Sequence, residues 1–183
     1  MPCPRWLTVI ALAILTSGCV PSLHPFYTDE DLTYDANLLG VWEAEGGATW
    51  AFAKSGDRSY LLTHTEKGAT GRMDAHLFKV GKQLFLDTFP EDPDIKSDFA
   101  KCHLLGTHLV WKLSLAGDSL RLATLDPDKV KSMAKQKKLT IAHEQIDGGL
   151  VFTASTRDLQ AFLDRYAEGD DVFGEWGEMK RQK

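Results

Sequence analysis

Short runs in which apolar and polar residues alternate fill the middle of the chain, and turn residues separate them. In the clearest run, Leu109, Trp111, Leu113 and Leu115 share one face, and Val110, Lys112 and Ser114 share the other. Successive side chains of a strand point to opposite faces, so this period of two predicts a strand with one buried face. The residues at positions 116–119 (Ala-Gly-Asp-Ser) then predict a hairpin turn that returns the chain.

The same alternation predicts strands on both sides of this hairpin. Before it, "VWEAEGGATWAF" contains two runs around Gly46-Gly47, and "RSYLLTHTEKGATGRMDAHLFKVGKQLFLDTF" is broken at Gly68, Gly71 and Gly81. After it, "KLTIAHEQ" and "GGLVFTA" flank Asp147-Gly148. About eight or more short strands joined as hairpins predict a mainly β fold, an antiparallel meander that closes into a barrel. A β-sandwich and an open curved sheet are the alternatives.

Two α-helices interrupt the strands, at about residues 127–138 and 156–167. Asp126 is a candidate N-cap for the first helix, with Pro127 at the first helical position. The apolar face of this helix is narrow and consists of Val130, Met133 and Ala134. In the second helix, Ser155 precedes an apolar stripe at the spacing i, i+3, i+4 and i+7. That stripe, which consists of Leu159, Phe162, Leu163 and Tyr166, is expected to pack on the sheet.

The amino terminus has a different pattern. Arg5 precedes about ten apolar or near-apolar residues, Trp6 to Leu15, and the small residues Thr16-Ser17-Gly18 lead directly to Cys19. A membrane-spanning helix needs roughly 20 apolar residues, whereas about ten fit the apolar region of a secretory signal peptide. The leader is therefore expected to direct export. A secreted protein that is cleaved nearby, with Cys19 unmodified, is the alternative.

The stretch Thr16-Ser17-Gly18-Cys19 resembles the lipobox of bacterial lipoproteins, although Thr16 stands where the family has Leu, Val or Ile. The resemblance implies that Cys19 is the lipidation site, carrying fatty acyl chains of the palmitate kind, and becomes the first residue after cleavage. It also implies a protein of the cell envelope that is held at a membrane. In that family an Asp after the cysteine marks retention at the inner membrane in some bacteria. Val20 stands there, which favours the outer membrane facing the periplasm in a Gram-negative cell.

These patterns divide the chain into four parts. Residues 1–18 form the lipoprotein signal peptide, residues 19–37 a lipidated and extended tether, residues 38–169 a single antiparallel β domain with helices, and residues 170–183 a C-terminal tail. Removing the leader leaves 165 residues, enough for one domain with a core. The remaining 20 basic and 26 acidic residues give a formal charge of −6, which does not favour nucleic acid as a partner. The lone Cys102 of the domain is expected to be buried, and a reactive or intermolecular thiol is the alternative.

The segment Gly40-Val41-Trp42 resembles the Gly-x-Trp motif in the first strand of lipocalins and similar small barrels. In that family the tryptophan packs across one end of the barrel. The resemblance therefore implies a lipocalin-like barrel. Many aromatic residues fall in predicted strands, where they either fill a core or line a cavity for an apolar ligand. They are Trp42, Trp50, Phe52, Tyr60, Phe78, Phe85, Trp111 and Phe152.

Motifs for catalysis and metal binding are weak. Residues 117–120 read Gly-Asp-Ser-Leu, the signature of GDSL esterases, in which Ser119 would be the nucleophile. No histidine of the chain has an Asp three residues before it, as that family requires, so the segment is interpreted as a turn. Two histidine pairs, His103 with His108 and His64 with His76, lack the tight spacing of a zinc site. The acidic loop with Glu91, Asp92 and Asp94 lacks the EF-hand pattern.

The sequence thus predicts a lipid-anchored envelope lipoprotein that is not an enzyme and has no metal or cofactor, and it assigns no ligand-binding residue. Its first function hypothesis is a lipocalin-like module that binds a small apolar ligand. Its second is an envelope interaction or structural protein that binds a protein partner through the sheet or through Phe173 and Trp176 of the tail. A GDSL-type esterase is the remote alternative.

Overall fold

A computed structural model describes residues 19–91, 95–169 and 171–183 of the chain. The strands are β1 (Leu32–Thr33), β2 (Gly40–Ala44), β3 (Thr49–Lys54), β4 (Tyr60–Glu66), β5 (Ala69–Val80), β6 (Gln83–Pro90), β7 (Leu109–Ala116), β8 (Ser119–Thr124), β9 (His143–Ile146), β10 (Gly149–Phe152) and β11 (Gly177–Arg181). The α-helices are α1 (Asp98–Lys101), α2 (Pro127–Lys135) and α3 (Thr156–Tyr166), and a 3₁₀ turn spans Ala36–Leu38. None of these helices has the length and apolar character that crossing a membrane requires.

Eight strands close into an antiparallel barrel, which confirms the predicted fold class. Strands β2 to β8 pair with their neighbours in chain order, and β11 lies between β8 and β2. The break expected at Gly71 is wrong, because β5 runs through this residue and is long enough to pair with β4, β6 and β1. The hairpin of β9 and β10 is not part of the barrel and forms a separate two-stranded sheet.

The interior of the barrel is filled by one set of inward-pointing side chains. Large side chains that are fully enclosed, among them Trp42, Tyr60 and Leu62, meet at its centre. The whole set consists of Leu38, Trp42, Phe52, Tyr60, Leu62, Ala75, Leu77, Leu86, Leu113, Leu120, Leu122 and Met179. The aromatic residues of this set therefore act as core.

The outward-facing side of strands β5 to β8 is called the outer wall. A second core, the outer-wall core, lies on it. Phe78, Phe85, Val110 and Ala123 point outward from these four strands and are nevertheless buried. Helices α2 and α3, the β9–β10 hairpin and the residues after Cys19 cover them. The apolar stripes predicted for the two helices are confirmed, since Val130 on α2 and Leu159, Phe162 and Leu163 on α3 are buried there.

The helix starts are also confirmed. The Asp126 carboxylate accepts hydrogen bonds from the amides of residues 128 and 129, and the Ser155 hydroxyl accepts one from the amide of residue 158. The helices end at Lys135 and Tyr166, earlier than the expected residues 138 and 167. The four-residue helix α1 was not predicted from the sequence, and it follows a capping serine, Ser97.

The last residues of the chain are part of the barrel, and the prediction of a C-terminal tail at residues 170–183 is wrong. Strand β11 pairs with β2 through Met179, Lys180 and Arg181, and with β8 on its other side. Phe173 is 1% exposed, and Trp176 packs against the outer-wall core. The proposed partner site on the tail therefore loses its basis.

Arg181 stacks on Trp42 and stabilises the end of the barrel where β2 begins. The guanidinium of Arg181 lies 4.2 Å from the ring centroid of Trp42 and donates hydrogen bonds to the carbonyl oxygens of Leu39 and Asn37, both at 2.5 Å. Trp42 is fully buried and donates its indole N–H to the Leu38 carbonyl at 2.9 Å. A side chain on Gly40 would meet this guanidinium at 2.8 Å, and its φ of +117° also requires glycine.

We expect Arg181→Lys to lower the free energy of unfolding by about 1–3 kcal/mol, because an ammonium cannot reproduce the planar set of donors or the stacking on Trp42. Equilibrium denaturation in urea measures this change. Lys180→Arg, at an exposed position of the same strand, is the matched control and should change stability by less than about 0.5 kcal/mol. Equal stabilities of the two variants would contradict the role assigned to Arg181.

Candidate functional site

The residues that follow Cys19 dock on the outer wall. Val20 and Phe26 are buried, at 2% and 0% exposed. The backbone of Ser22 exchanges two hydrogen bonds with that of His108, at 2.9 and 2.8 Å, and the amide of Phe152 donates to the carbonyl of Pro21 at 2.8 Å. Residues 20–27 therefore belong to the packed domain, whereas the sequence predicts an extended tether at residues 19–37.

A buried carboxylate holds this segment. Asp87 points outward from β6 and is 1% exposed. One of its oxygens accepts a hydrogen bond from the amide of Phe26 at 2.9 Å, and the other accepts one from Nδ1 of His108 at 2.8 Å. A buried carboxylate needs such partners, because an isolated charge away from water is strongly disfavoured. Asp87 therefore couples the amino-terminal segment to both β6 and the start of β7.

Tyr27 and His76 extend this group on the side of β5. Residue 76 lies opposite Asp87 in the β5–β6 register. The Tyr27 hydroxyl is hydrogen bonded to Nδ1 of His76 at 3.1 Å, and the two rings stack with centroids 4.6 Å apart. Burial, followed by the negative charges of Asp87 and other nearby carboxylates, raises the pKa of Tyr27 to about 12. The Asp87 cluster consists of Tyr27, His76, Asp87 and His108.

The hydrogen bonding of the cluster favours a structural role. An aspartate on one ring nitrogen of a histidine is the arrangement that orients a general base in hydrolases. Among the described residues, however, His108 makes no hydrogen bond to a serine, threonine or cysteine side chain. Ser22 is paired with His108 through the backbone, and its hydroxyl accepts a hydrogen bond from the amide of His24 at 3.2 Å.

The two cysteines of the described chain are both exposed. Cys19 is the first described residue, and it directly precedes the buried Val20. The expectation that Cys102 is buried is wrong. Residues 95–106 form α1 and a loop outside the barrel wall rather than a strand, so the thiol has no core to enter.

The other candidate residues that the structure describes do not assemble into a site. Ser119 ends the β7–β8 turn as predicted, and its hydroxyl donates to Glu178 at 3.1 Å. His64 lies opposite Gly71 in the β4–β5 register and does not meet His76. His103 contacts Phe99, whereas His108 binds Asp87, so this pair is also separated.

The acidic loop begins at Glu91, directly after β6. Glu91 pairs with Arg72 at 2.8 Å, and Asp92 and Asp94 lie outside the described residues. Within residues 19–91, 95–169 and 171–183, no three His, Cys, Asp or Glu side chains come together in a way that could hold a metal ion.

Comparison with known proteins adds no relative: no family model, no curated protein and no solved structure matches the chain.

The Asp87 cluster was missed by the sequence analysis. Asp87 stands in "QLFLDTF", where alternation places it on the face opposite Leu84 and Leu86. A polar residue on that face predicts a strand face that is exposed to solvent. The usable signal was the position of two apolar neighbours, Phe85 and Val110, on the same outward face of adjacent strands. They indicate that something covers the outer wall.

We expect Asp87→Asn to release the amino-terminal segment, because an amide offers one acceptor oxygen where the carboxylate offers two. The free energy of unfolding should fall by about 1–3 kcal/mol, and the Phe26 amide should exchange its hydrogen faster. Asp74→Asn, at an exposed position on β5, is the control and should leave both quantities nearly unchanged. An unchanged exchange rate at Phe26 in Asp87→Asn would contradict the role of the carboxylate.

The raised pKa of Tyr27 predicts a loss of stability at alkaline pH. A folded pKa of about 12 lies above the ordinary value of 10, so between these values the folded protein binds more protons than the unfolded chain. Stability due to this group is therefore complete below pH 10 and is lost as the pH rises towards 12. The free energy of unfolding of Tyr27→Phe should fall less steeply over this range than that of the unchanged protein. Parallel curves for the two proteins would show that Tyr27 does not contribute.

Proposed function

We propose that the protein is a lipoprotein of the cell envelope, anchored through acyl chains on Cys19, that acts without catalysis as an interaction module. The observation that carries the proposal is the position of Cys19 at the end of an apolar leader and one residue before the docked Val20. Acyl chains on one residue contribute about 0.8 kcal/mol per buried methylene, so two or three chains anchor a domain firmly. Because the segment after Cys19 is held by Asp87, such an anchor would keep the barrel close to the lipid surface.

The outer membrane, facing the periplasm, is the proposed location in a Gram-negative cell. The support is the residue after the cysteine: Val20 stands where an Asp would favour the inner membrane. Val20 also has a packing role, since its side chain belongs to the outer-wall core.

The filled interior supports a function at the surface of the barrel. Side chains from every barrel strand, together with Leu38, meet inside it, so a ligand that entered would have to displace core residues. The fully buried Trp42 supports the same view, because the guanidinium of Arg181 covers its ring.

A small apolar ligand remains the second candidate, and one surface feature favours it. A cleft of about 370 Å³ lies at the other end of the barrel, beside the loop that follows α1. Its walls include Phe89, Leu104 and Leu105, and the two leucines are 57% and 74% exposed. Exposed apolar side chains grouped around a cleft favour contact with an apolar ligand or partner.

The proposal that the protein is not an enzyme is supported by the surroundings of Ser119. This serine hydrogen bonds to a glutamate and not to a histidine, and the adjacent Asp118 accepts a hydrogen bond from Arg181 at 3.1 Å. A hydrolase needs a base that activates the hydroxyl.

Replacing the lipidated residue tests the anchor. The full chain with its own leader is expressed in a Gram-negative host, membranes are washed at high salt and alkaline pH, and intact masses are measured. We expect the unchanged protein to stay in the membrane, to begin at Cys19 and to carry the mass of acyl chains. Cys19→Ser should lack the added mass of acyl chains, and washing at high salt and alkaline pH should release it from the membrane.

Cys102→Ser is the matched control, since it removes the other exposed cysteine of the described chain and should leave anchoring and mass gain intact. A mature protein that begins at another residue, or one without added mass on Cys19, would refute the proposal. Loss of acylation in Cys102→Ser, with acylation retained in Cys19→Ser, would place the lipid on Cys102 and would also refute the proposal.

A further inference from the structure

A second cleft, of about 620 Å³, lies on the outer wall beside the β5–β6 turn and the end of α3. Charged side chains surround it. Lys82, Lys112 and Arg165 contribute positive charges, Asp164 and Glu168 contribute negative charges, and Trp176 forms part of its wall.

Lys112 is the unusual member of this group. It points outward from β7, between the outward-facing Val110 and the turn, and is only 6% exposed. Its ammonium lies 5.5 Å from the ring centroids of both Phe173 and Trp176. Among the described residues, no carboxylate lies within 4 Å of it and no hydrogen bond to it is formed.

The other buried polar side chains among the described residues form hydrogen bonds. Asp87, Ser22 and Thr88 are each less than 5% exposed, and each takes part in hydrogen bonds within the protein. Lys112 has only two aromatic rings, whose attraction for a cation offsets part of the loss of hydration. The ammonium nitrogen itself is not fully enclosed, and it is accessible from the cleft that the side chain lines.

The surroundings add positive charge at this point. Trp176, which lines the cleft, also has the guanidinium of Arg121 at 5.0 Å from its ring centroid, so two cations share one ring. No ion pair joins Lys82, Lys112 or Arg165 to another described residue. The three cations at the cleft are therefore free to meet a ligand, while Asp164 and Glu168 disfavour a ligand of high negative charge.

We propose that this cleft is a binding site for a small oxyanion of low charge, a phosphate or a carboxylate, with the ammonium of Lys112 as its fixed ligand. Lys82 and Arg165 add flexible contacts at the rim. The carboxylates of Asp164 and Glu168 favour an oxyanion that carries an ammonium group nearby, such as phosphoethanolamine. This site goes beyond the proposed anchoring and does not depend on it.

Nuclear magnetic resonance of the full-length chain in an uncharged detergent tests the site. Inorganic phosphate and phosphoethanolamine are titrated, and the indole signal of Trp176 is followed after its assignment with Trp176→Phe. We expect a saturable shift with both probes, at a lower concentration for phosphoethanolamine. Lys112→Met should weaken binding at least tenfold, and Arg165→Gln should weaken it a few-fold.

Lys135→Met is the matched control, since this exposed lysine of α2 does not line the cleft, and it should bind as the unchanged protein does. Methionine fills the space of the buried stem without its charge, so Lys112→Met should fold. As a second readout, the probes should raise the melting temperature of the unchanged protein but not that of Lys112→Met.

The source of the oxyanion is distinguished with vesicles. A shift of the same indole signal with vesicles that contain phosphatidylethanolamine, and none with phosphatidylcholine alone, would support a lipid headgroup. A response to the free probes only would support a soluble ligand. The absence of a saturable shift with any probe, or equal binding by Lys112→Met and the unchanged protein, would overturn the proposal.

Discussion

The closure of the barrel by β11 is the constraint on which the rest of the structure depends. This strand inserts between β2 and β8, so the first and last barrel strands of the chain complete the same wall. Without it, two open edges would expose unpaired backbone groups and the interior would lose Met179. Arg181 adds a side-chain lock to this pairing, because it covers Trp42 and holds the 3₁₀ turn before β2. The glycine at position 40 is part of the same lock, since any larger residue would displace the guanidinium.

The closed barrel creates an outer wall that the chain then covers. All the elements between β8 and β11, namely α2, the β9–β10 hairpin and α3, pack on this side, and the residues after Cys19 join them. Two charged residues become enclosed as a consequence. Asp87 is fully hydrogen bonded and holds the amino-terminal segment, whereas Lys112 has aromatic rings but no anion. We therefore assign Asp87 to the fold, and Lys112 to the proposed oxyanion site.

The anchor, the filled barrel and the charged cleft fit one picture of the molecule. The proposed acyl chains on Cys19 attach to a segment that is docked and not loose, so the domain moves with its anchor. The interior is packed with apolar side chains that stabilise the barrel. We therefore propose the outer surface for contacts with other molecules, since the apolar cleft near Leu105 and the cleft at Lys112 lie there, on different parts of the barrel.

The sequence by itself determined the elements whose local pattern is strong. Alternation defined the strands from β2 to β8, caps and apolar stripes defined α2 and α3, and the leader ending at Cys19 defined the proposed anchor. Only the tertiary structure decided the role of the last residues and of the two buried charges. Strand β11 has a single buried side chain, Met179, among charged neighbours, so no local periodicity marks it. Asp87 and Lys112 stand at outward positions of alternating strands, where a charge reads as solvated. They are buried because segments far away in the chain cover that face, and a local pattern carries no information about such long-range packing.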